Sequence, residues 1–264
     1  MKGIKNLKVS AKLYLLSGIA VVGMLVLVIM SLILMKDLNG ATKIIAQKWM
    51  PSCTLSDQMN TSLSNVRLYK TTAVTGKSDE EVSTNITKVE EAVSQLDGHI
   101  AAYGNYVTTA EGRGLYEALQ SAWSAYKQVD TRVMNLAKEG KLEEAEQLLK
   151  GDEGVAVYNN VTMALDNLSD FNTRGSDGAY EDSNSTYSRA MILTFIVLAI
   201  IIVIGVVFSA VIIRGIRTPV QELEAAVVEM VKGNFEVSIK YEAKDELGVV
   251  AEQFRGLISK LNAI

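Results

Sequence analysis

The chain has 264 residues, about one to two domains' worth, with 48% hydrophobic and 21% charged residues and a net charge of −4, a balance that argues against bulk nucleic-acid binding. Two prolines and 6% aromatic residues disfavour a turn-rich β-sandwich or barrel and favour long helices. One cysteine and one histidine exclude an internal disulfide framework and a Cys-based metal cluster and remove most zinc sites and most His-dependent catalysis, so no metal, no cofactor and no common hydrolytic or metal-dependent activity is expected.

The first twelve residues form a basic stub with Lys2, Lys5, Lys8 and Lys12 and no acid. Residues 13–35 then hold no charge, a run long enough to cross a hydrocarbon core of ~30 Å at ~1.5 Å per helical residue. A cleaved signal has an apolar region of only ~7–15 residues and a small-residue exit. This run is longer and leaves through Ser31-Leu32-Ile33-Leu34-Met35, so it reads as an uncleaved anchor.

Residues 36–189 carry 15 Lys and Arg against 22 Asp and Glu, a net −7. Leu38, Ala41, Ile45, Trp49, Ser52, Leu55, Met59, Leu63, Val66, Tyr69 and Ala73 recur in steps of three and four, the stripe of a bundle helix. Pro51 should kink that helix or reset its start, and Gly76 ends it. Ser78-Asp79-Glu80-Glu81 has the form of a capping box and opens a second helix through Val82, Ile86, Val89, Val93, Leu96 and Ile100. Thr108-Thr109-Ala110-Glu111 opens a third, through Leu115, Ala118, Ala122, Tyr126, Val129, Val133 and Leu136. A short amphipathic piece, 141–150, precedes a fourth helix that starts near Gly154 and carries Val155, Tyr158, Val161, Leu165, Leu168 and Phe171. It should continue outward despite Gly175, Gly178 and the polar run 181–188. Short connections predict an antiparallel four-helix bundle.

A second uncharged run covers residues 190–213, followed by Arg214 and Arg217. Positive residues flank both runs on the same side, which places both termini in the cytoplasm and residues 36–189 outside it. The expected class is all-α, a membrane protein with two transmembrane helices around an extracytoplasmic bundle.

In residues 214–264, Val220, Leu223, Val227 and Met230 form one seam. Leu247, Val250, Phe254, Leu257, Leu261 and Ile264 form another. Between them Gly233-Asn234 breaks the helix and Phe235-Glu236-Val237-Ser238-Ile239 alternates like an extended connector. Two such short heptad helices cannot bury their seams alone, and pairing in a homodimer would make a parallel four-helix coiled coil. With Pro219 just past the span, Gly233 at the helix end and Asp245-Glu246-Leu247-Gly248 opening the second helix, the segment resembles the HAMP domain, the relay module of bacterial receptors.

The whole layout resembles the N-terminal part of a methyl-accepting chemotaxis protein. Met50-Pro51 with Asn65-Val66-Arg67, and Gly140-Lys141-Leu142-Glu143-Glu144-Ala145, are similar to that family's first sensor helix and third-to-fourth connection. The resemblance implies a non-enzymatic receptor in the bacterial cytoplasmic (inner) membrane, with a stub at 1–12, spans at 13–35 and 190–213, a sensor at 36–189 and a relay at 214–264. It implies Pro219, Gly233, Asp245, Glu246 and Gly248 as relay residues. The family's methylated helices, and the hairpin tip that meets a histidine kinase and a coupling protein, are expected in a longer parent chain and not in this one. Sensor histidine kinases and cyclic-dinucleotide enzymes share the same front end and stay open as alternatives, as does a ligand-free helical scaffold.

Arg67 should lie ~14 Å below the distal tip, level with Asn159, Asn160 and Thr162 on the fourth helix. Arg67 and Lys70 are three apart and share a helix face. Two cations beside amides and a hydroxyl in an acidic sensor can hold a small carboxylate or amino acid, or else pair with acidic neighbours on the surface. A ligand-carrying binding protein is the other expected partner. His99 reads as a surface or end-of-helix residue, Cys53 as a small core residue, Trp49 and Tyr14 as packing or interface anchors, and Tyr103 and Tyr106 as anchors near the membrane.

Overall fold

The computed structural model describes residues 6–234 and 236–262, so Lys2, Lys5, Phe235 and Ile264 lie outside the described residues. Helix α1 spans Val9–Ile44, a π-helical turn spans Ile45–Trp49 and α2 spans Met50–Val74. Then follow α3 (Asp79–Tyr103), a 3-10 turn (Gly104–Tyr106), α4 (Ala110–Lys138), α5 (Leu142–Lys150), α6 (Asp152–Val231) and α7 (Glu246–Leu261). No strand occurs among the described residues. The chain forms two compact units, one of residues 37–186 and one of residues 1–36 with 187–264.

Local chemistry sets the boundaries. Pro51 has no N–H to donate, and the turn before it is π-helical, with the Met50 N–H reaching back five residues to the Ile45 carbonyl. The helix therefore restarts at Met50, with Pro51 in the first turn where a missing donor is harmless. Ser78 Oγ accepts from the Glu81 N–H at 3.2 Å while a Glu81 carboxylate oxygen accepts from the Lys77 N–H at 3.0 Å, so the box closes one residue further out than its usual form. Thr109 caps α4 through the Gly112 N–H at 3.1 Å. Gly140, at φ 77°, ends α4: the Lys141 N–H reaches the Leu136 carbonyl at 2.9 Å and the Gly140 N–H reaches Ala137 at 3.1 Å, a Schellman ending that calls for glycine.

The 37–186 unit encloses its own core. Met59, Leu63 and Val66 of α2, Val89 and Leu96 of α3, Leu119, Trp123 and Tyr126 of α4, and Val161, Leu165 and Leu168 of α6 are all buried in it. Short α5 adds Ala145 and Leu149. At the other end Trp49 meets Phe171 edge-on at 5.7 Å between ring centres, and a Cβ on Gly175 would overlap the Trp49 ring. Glycine at 175 is thus a packing requirement that makes room for an indole.

Among the described residues two helices are long and apolar enough to cross a membrane: the continuous run Val9–Val74 and Asp152–Val231. Within the 1–36 and 187–264 unit they pack closely at Gly23, where a Cβ would meet Ile201 Cγ2 at 2.8 Å.

Candidate sensing and relay sites

The residues expected to face a ligand fall into two environments. Lys70 is not on the surface beside Arg67. Its position three residues on turns it into the bundle, where its side chain is 2% exposed and its ammonium lies against Asp130 Oδ1. The ammonium also donates to Tyr126 Oη at 2.8 Å. Burial pulls the Lys70 pKa below the ordinary lysine value against the opposing pull of Asp130, and nearby Arg67 adds to the lowering. Burial and the Asp130 charge push the Tyr126 phenol well above its usual range, so it stays a neutral donor and acceptor.

Arg67 is half-buried at the rim of the same cluster. Its guanidinium lies over the Tyr158 ring at 5.0 Å, and Nη1 donates to the Leu149 carbonyl at 3.3 Å. That carbonyl is in the last turn of α5, where a cation meets the negative end of the helix dipole. Tyr158 is 6.4 Å from Tyr126 between ring centres. Arg67 is therefore tied to the Lys70 cluster through two aromatic rings. Thr162 is half-buried with its hydroxyl donating to the Tyr158 carbonyl at 3.1 Å, and Asn159 and Asn160 are exposed. Arg67 stands level with Tyr158, one turn closer to the start of α6 than Thr162.

No motif marks Asp130 in the sequence, and Tyr126 stands there as one residue of an apolar stripe. The available signal was spacing: Asp130 follows Tyr126 by four on the inward stripe, where an acid needs a partner. Two other residues are more deeply engaged than expected. Tyr103 is buried and donates to Asn172 Oδ1 at 2.8 Å, with Asn172 Nδ2 donating in turn to Ser56 Oγ at 2.7 Å. It is a core polar residue and not an interface anchor, because the end of α3 is covered by α6. His99 is half-buried, with Nδ1 3.3 Å from Ser62 Oγ.

In the second unit, Pro219 is buried inside α6, and its missing N–H leaves the Gly215 carbonyl without the usual helical partner. Gly233, at φ 84°, ends α6 in a second Schellman motif, with Asn234 N–H to Glu229 O at 3.1 Å and Gly233 N–H to Met230 O at 3.0 Å. Arg255 Nη1 donates to the carbonyls of Ile239 and Tyr241 at 3.2 and 2.9 Å and fastens the connector to α7. Leu223, Ala226, Ile239, Ala251 and Ile258 form a small core. Val220, Val227, Val250 and Leu257, all from the two heptad seams, are exposed.

Asp245 caps α7, with Oδ1 accepting from the Gly248 N–H at 2.9 Å. Oδ2 accepts from Lys12 Nζ at 2.7 Å and from Tyr241 Oη at 2.9 Å. Burial pushes this carboxyl up, but the three hydrogen bonds and the lysine charge outweigh it and hold it below the ordinary value. Burial, with Asp245 beside it, pushes Tyr241 up to about 12. Glu246 is lowered mainly by the N–H of Val9, which it accepts at 2.8 Å. A Cβ on Gly248 would overlap the Ala243 carbonyl, so the chain can fold back here only at glycine.

Residues 6–187 match the family described as a four helix bundle sensory module for signal transduction, and residues 211–263 match the HAMP domain. The chain belongs to the four-helix-bundle sensory-module family. It is 26% identical over 193 residues to a provisionally named sensory transducer protein of Acetivibrio thermocellus, covering 73% of this chain and 34% of that one. It is 21% identical over 178 residues to the provisionally named sensory transducer protein YvaQ of Bacillus subtilis, covering 67% and 31%. Over 72 residues it is 35% identical to the methyl-accepting chemotaxis protein McpA of Bacillus subtilis, covering 27% and 11%. The chain thus spans about a third of the first two relatives. Sensory module, two candidate spans and HAMP domain together have the architecture of a receptor of the methyl-accepting type, a sensory signal transducer. Within that architecture the Arg67 cluster belongs to the sensory module and the Asp245 cluster to the HAMP domain.

Proposed function

We infer that the chain is the sensing and relay part of a homodimeric chemoreceptor in a bacterial inner membrane, with both termini cytoplasmic. The sensory module takes up a small extracytoplasmic molecule, or the binding protein that carries it. The HAMP domain passes the change to a cytoplasmic signalling domain that, with a coupling protein, controls a chemotaxis kinase. One observation carries this reading: α6 is a single helix from Asp152 in the sensory module, through the apolar run, to Val231 in the HAMP domain. A bias on its outer end has a covalent helical route inward.

Arg67 favours a carboxylate, because a planar guanidinium binds a carboxylate through two N–H groups and, among the described residues, its hydrogen bond is that of Nη1 to the Leu149 carbonyl. Asn159, Asn160 and Thr162 supply the neighbouring amides and hydroxyl. Lys70 acts beneath this face, holding Tyr126 against Tyr158 and so fixing the ring under Arg67. Leu68 and Met163, next to Arg67 and Thr162 in sequence, leave large apolar side chains exposed for a second copy.

The test is thermal unfolding of the full chain in lipid nanodiscs against small carboxylates, amino acids and amines. A ligand at 100 times its Kd stabilises by ~2.7 kcal/mol, which at this size raises Tm by roughly 5–10 °C. The expected result is a carboxylate-bearing hit lost in Arg67→Ala. A hit that survives that substitution contradicts the Arg67 face, and silence across the panel contradicts direct recognition.

A further inference from the structure

The Lys12–Asp245 pair goes beyond helix capping. Both side chains are essentially removed from solvent, 2% and 0% exposed, and lie 233 residues apart in sequence. A buried ion pair is a weak source of net stability, since desolvation offsets most of its Coulomb attraction. A capping aspartate has no need of a lysine from a different helix. Two further contacts run alongside: Val9 N–H to Glu246 Oε2 at 2.8 Å, and Lys244 N–H to Asn6 Oδ1 at 3.4 Å. Residues 6–12, before the first span, therefore hold residues 244–246, the start of the second HAMP helix. The Val9 and Asn6 contacts use backbone N–H groups on one side each, and the ion pair adds a charge match at the centre.

We propose that Lys12 and Asp245 form a tether through which the cytoplasmic end of the first span positions α7, so that the HAMP domain takes two mechanical inputs. The second span enters it covalently, as α6. The first span enters it through the tether. Residues 236–244, the covalent link from α6 to α7, have no regular secondary structure and are fastened to α7 by Arg255, so the tether is the direct contact between a span and the start of α7. Asp245 is shared between cap and tether, with Oδ1 on Gly248 and Oδ2 on Lys12. Moving α1 along its axis therefore pulls on the first turn of α7 itself. Gly248, closed against Ala243, leaves that turn little room to yield. The HAMP domain then responds to the displacement of one span relative to the other, and a movement shared by both spans leaves it unchanged. Lys12 is a positioning residue in this scheme.

The proposal rests on residues 214–262 acting as a relay, but its test needs neither ligand nor output, so the two can fail separately. Spin labels at Ser10→Cys and Gln253→Cys, both exposed positions, are introduced with Cys53→Ser into the full chain in nanodiscs. Labelled chains are diluted with unlabelled ones so that only distances within one chain are read. The tether predicts a narrow distance distribution that at least doubles in width in Lys12→Met and keeps its width in Lys12→Arg. Inserting one alanine after Leu15 turns Lys12 by ~100° about the helix axis without removing its charge, and should broaden the distribution as Lys12→Met does. A control pair at Glu224→Cys and Gln253→Cys, inside the HAMP domain, should keep its width in Lys12→Met. Unchanged width of the Ser10–Gln253 distribution in Lys12→Met overturns the proposal. Equal broadening of the control pair also overturns it, because Lys12 would then be supporting the HAMP fold rather than linking it to the span.

Discussion

The sensory module and the HAMP domain are built from the same material, short-looped amphipathic helices, yet they close in different ways. The sensory module buries its stripe residues within one chain: Met59, Leu96, Leu119, Leu165 and Leu168 have no exposed surface. The core of the HAMP domain gathers five buried apolar residues among the described ones, while Val227 is left 38% and Leu257 46% exposed. Helix number explains the difference. Four long helices can surround one another, whereas two short ones joined by an extended connector have only each other within their domain and leave the rest of their apolar seam exposed. The closed core of the module suits a fixed shape, and the open seam of the HAMP domain a packing that a small displacement can alter.

The largest expected effect lies in the module's interior. Asp130→Ala leaves Lys70 buried without its counter-charge and should cost about 3–5 kcal/mol, a fall in Tm of roughly 6–20 °C for a domain of this size. Replacing both, Lys70→Met with Asp130→Leu, should recover most of that loss, and thermal unfolding of the single and double variants reads the difference. Close behind comes the contrast between cores. Leu165→Ala should destabilise the module by about 2–5 kcal/mol at any protein concentration. Leu257→Ala should act through association, with a loss of HAMP helix stability that grows on dilution in detergent. Gly175→Ala forces a methyl against the Trp49 ring and should cost about 1–3 kcal/mol, visible as a shift in tryptophan emission as well as in Tm. The smallest change is Ser78→Ala, which removes one cap at about 1 kcal/mol.

Acid should act on the HAMP domain in a defined window. The folded Asp245 carboxyl titrates below its unfolded value of 3.8. Its contribution is therefore fully present above about pH 4 and is lost as pH falls through the lower folded value. Hydrogen exchange of the first turn of α7 should be insensitive to Asp245 protonation between pH 5 and 8, after correction for intrinsic rates, and should rise only in stronger acid.

Much of this fold was legible in the sequence because each signal had one physical meaning. The uncharged runs, the Ser78 cap, the helix start at 108–111 and the glycines at 140 and 233 each admit few alternatives, and the structure uses them, with Thr109 rather than Thr108 as the cap of α4. Stripe periodicity also located the bundle helices, although the π turn at 45–49 was visible only as the expectation that Pro51 disturbs its helix. The polar sites were less legible. A helical face does not say how far round a side chain must lie before it turns inward, so spacing alone puts Lys70, three residues from Arg67, on the same ligand-facing side. Asp245 stands out through its motif, but Lys12 is one of four flanking positives in the sequence, and no local pattern shows that a residue 233 positions away is its partner. Pairings between distant segments are set by topology, and spacing along the chain does not encode them.

Disulfide formation along the HAMP seam gives the most direct reading of how the two regions differ. In a Cys53→Ser background, single cysteines at Val227 and Leu257 should oxidise to covalent dimers in membranes far faster than cysteines at Glu224 or Lys260, which are exposed but lie off the seam. Equal cross-linking at all four positions would contradict a seam closed by a second copy, and the HAMP helices would then have to find their missing partner elsewhere.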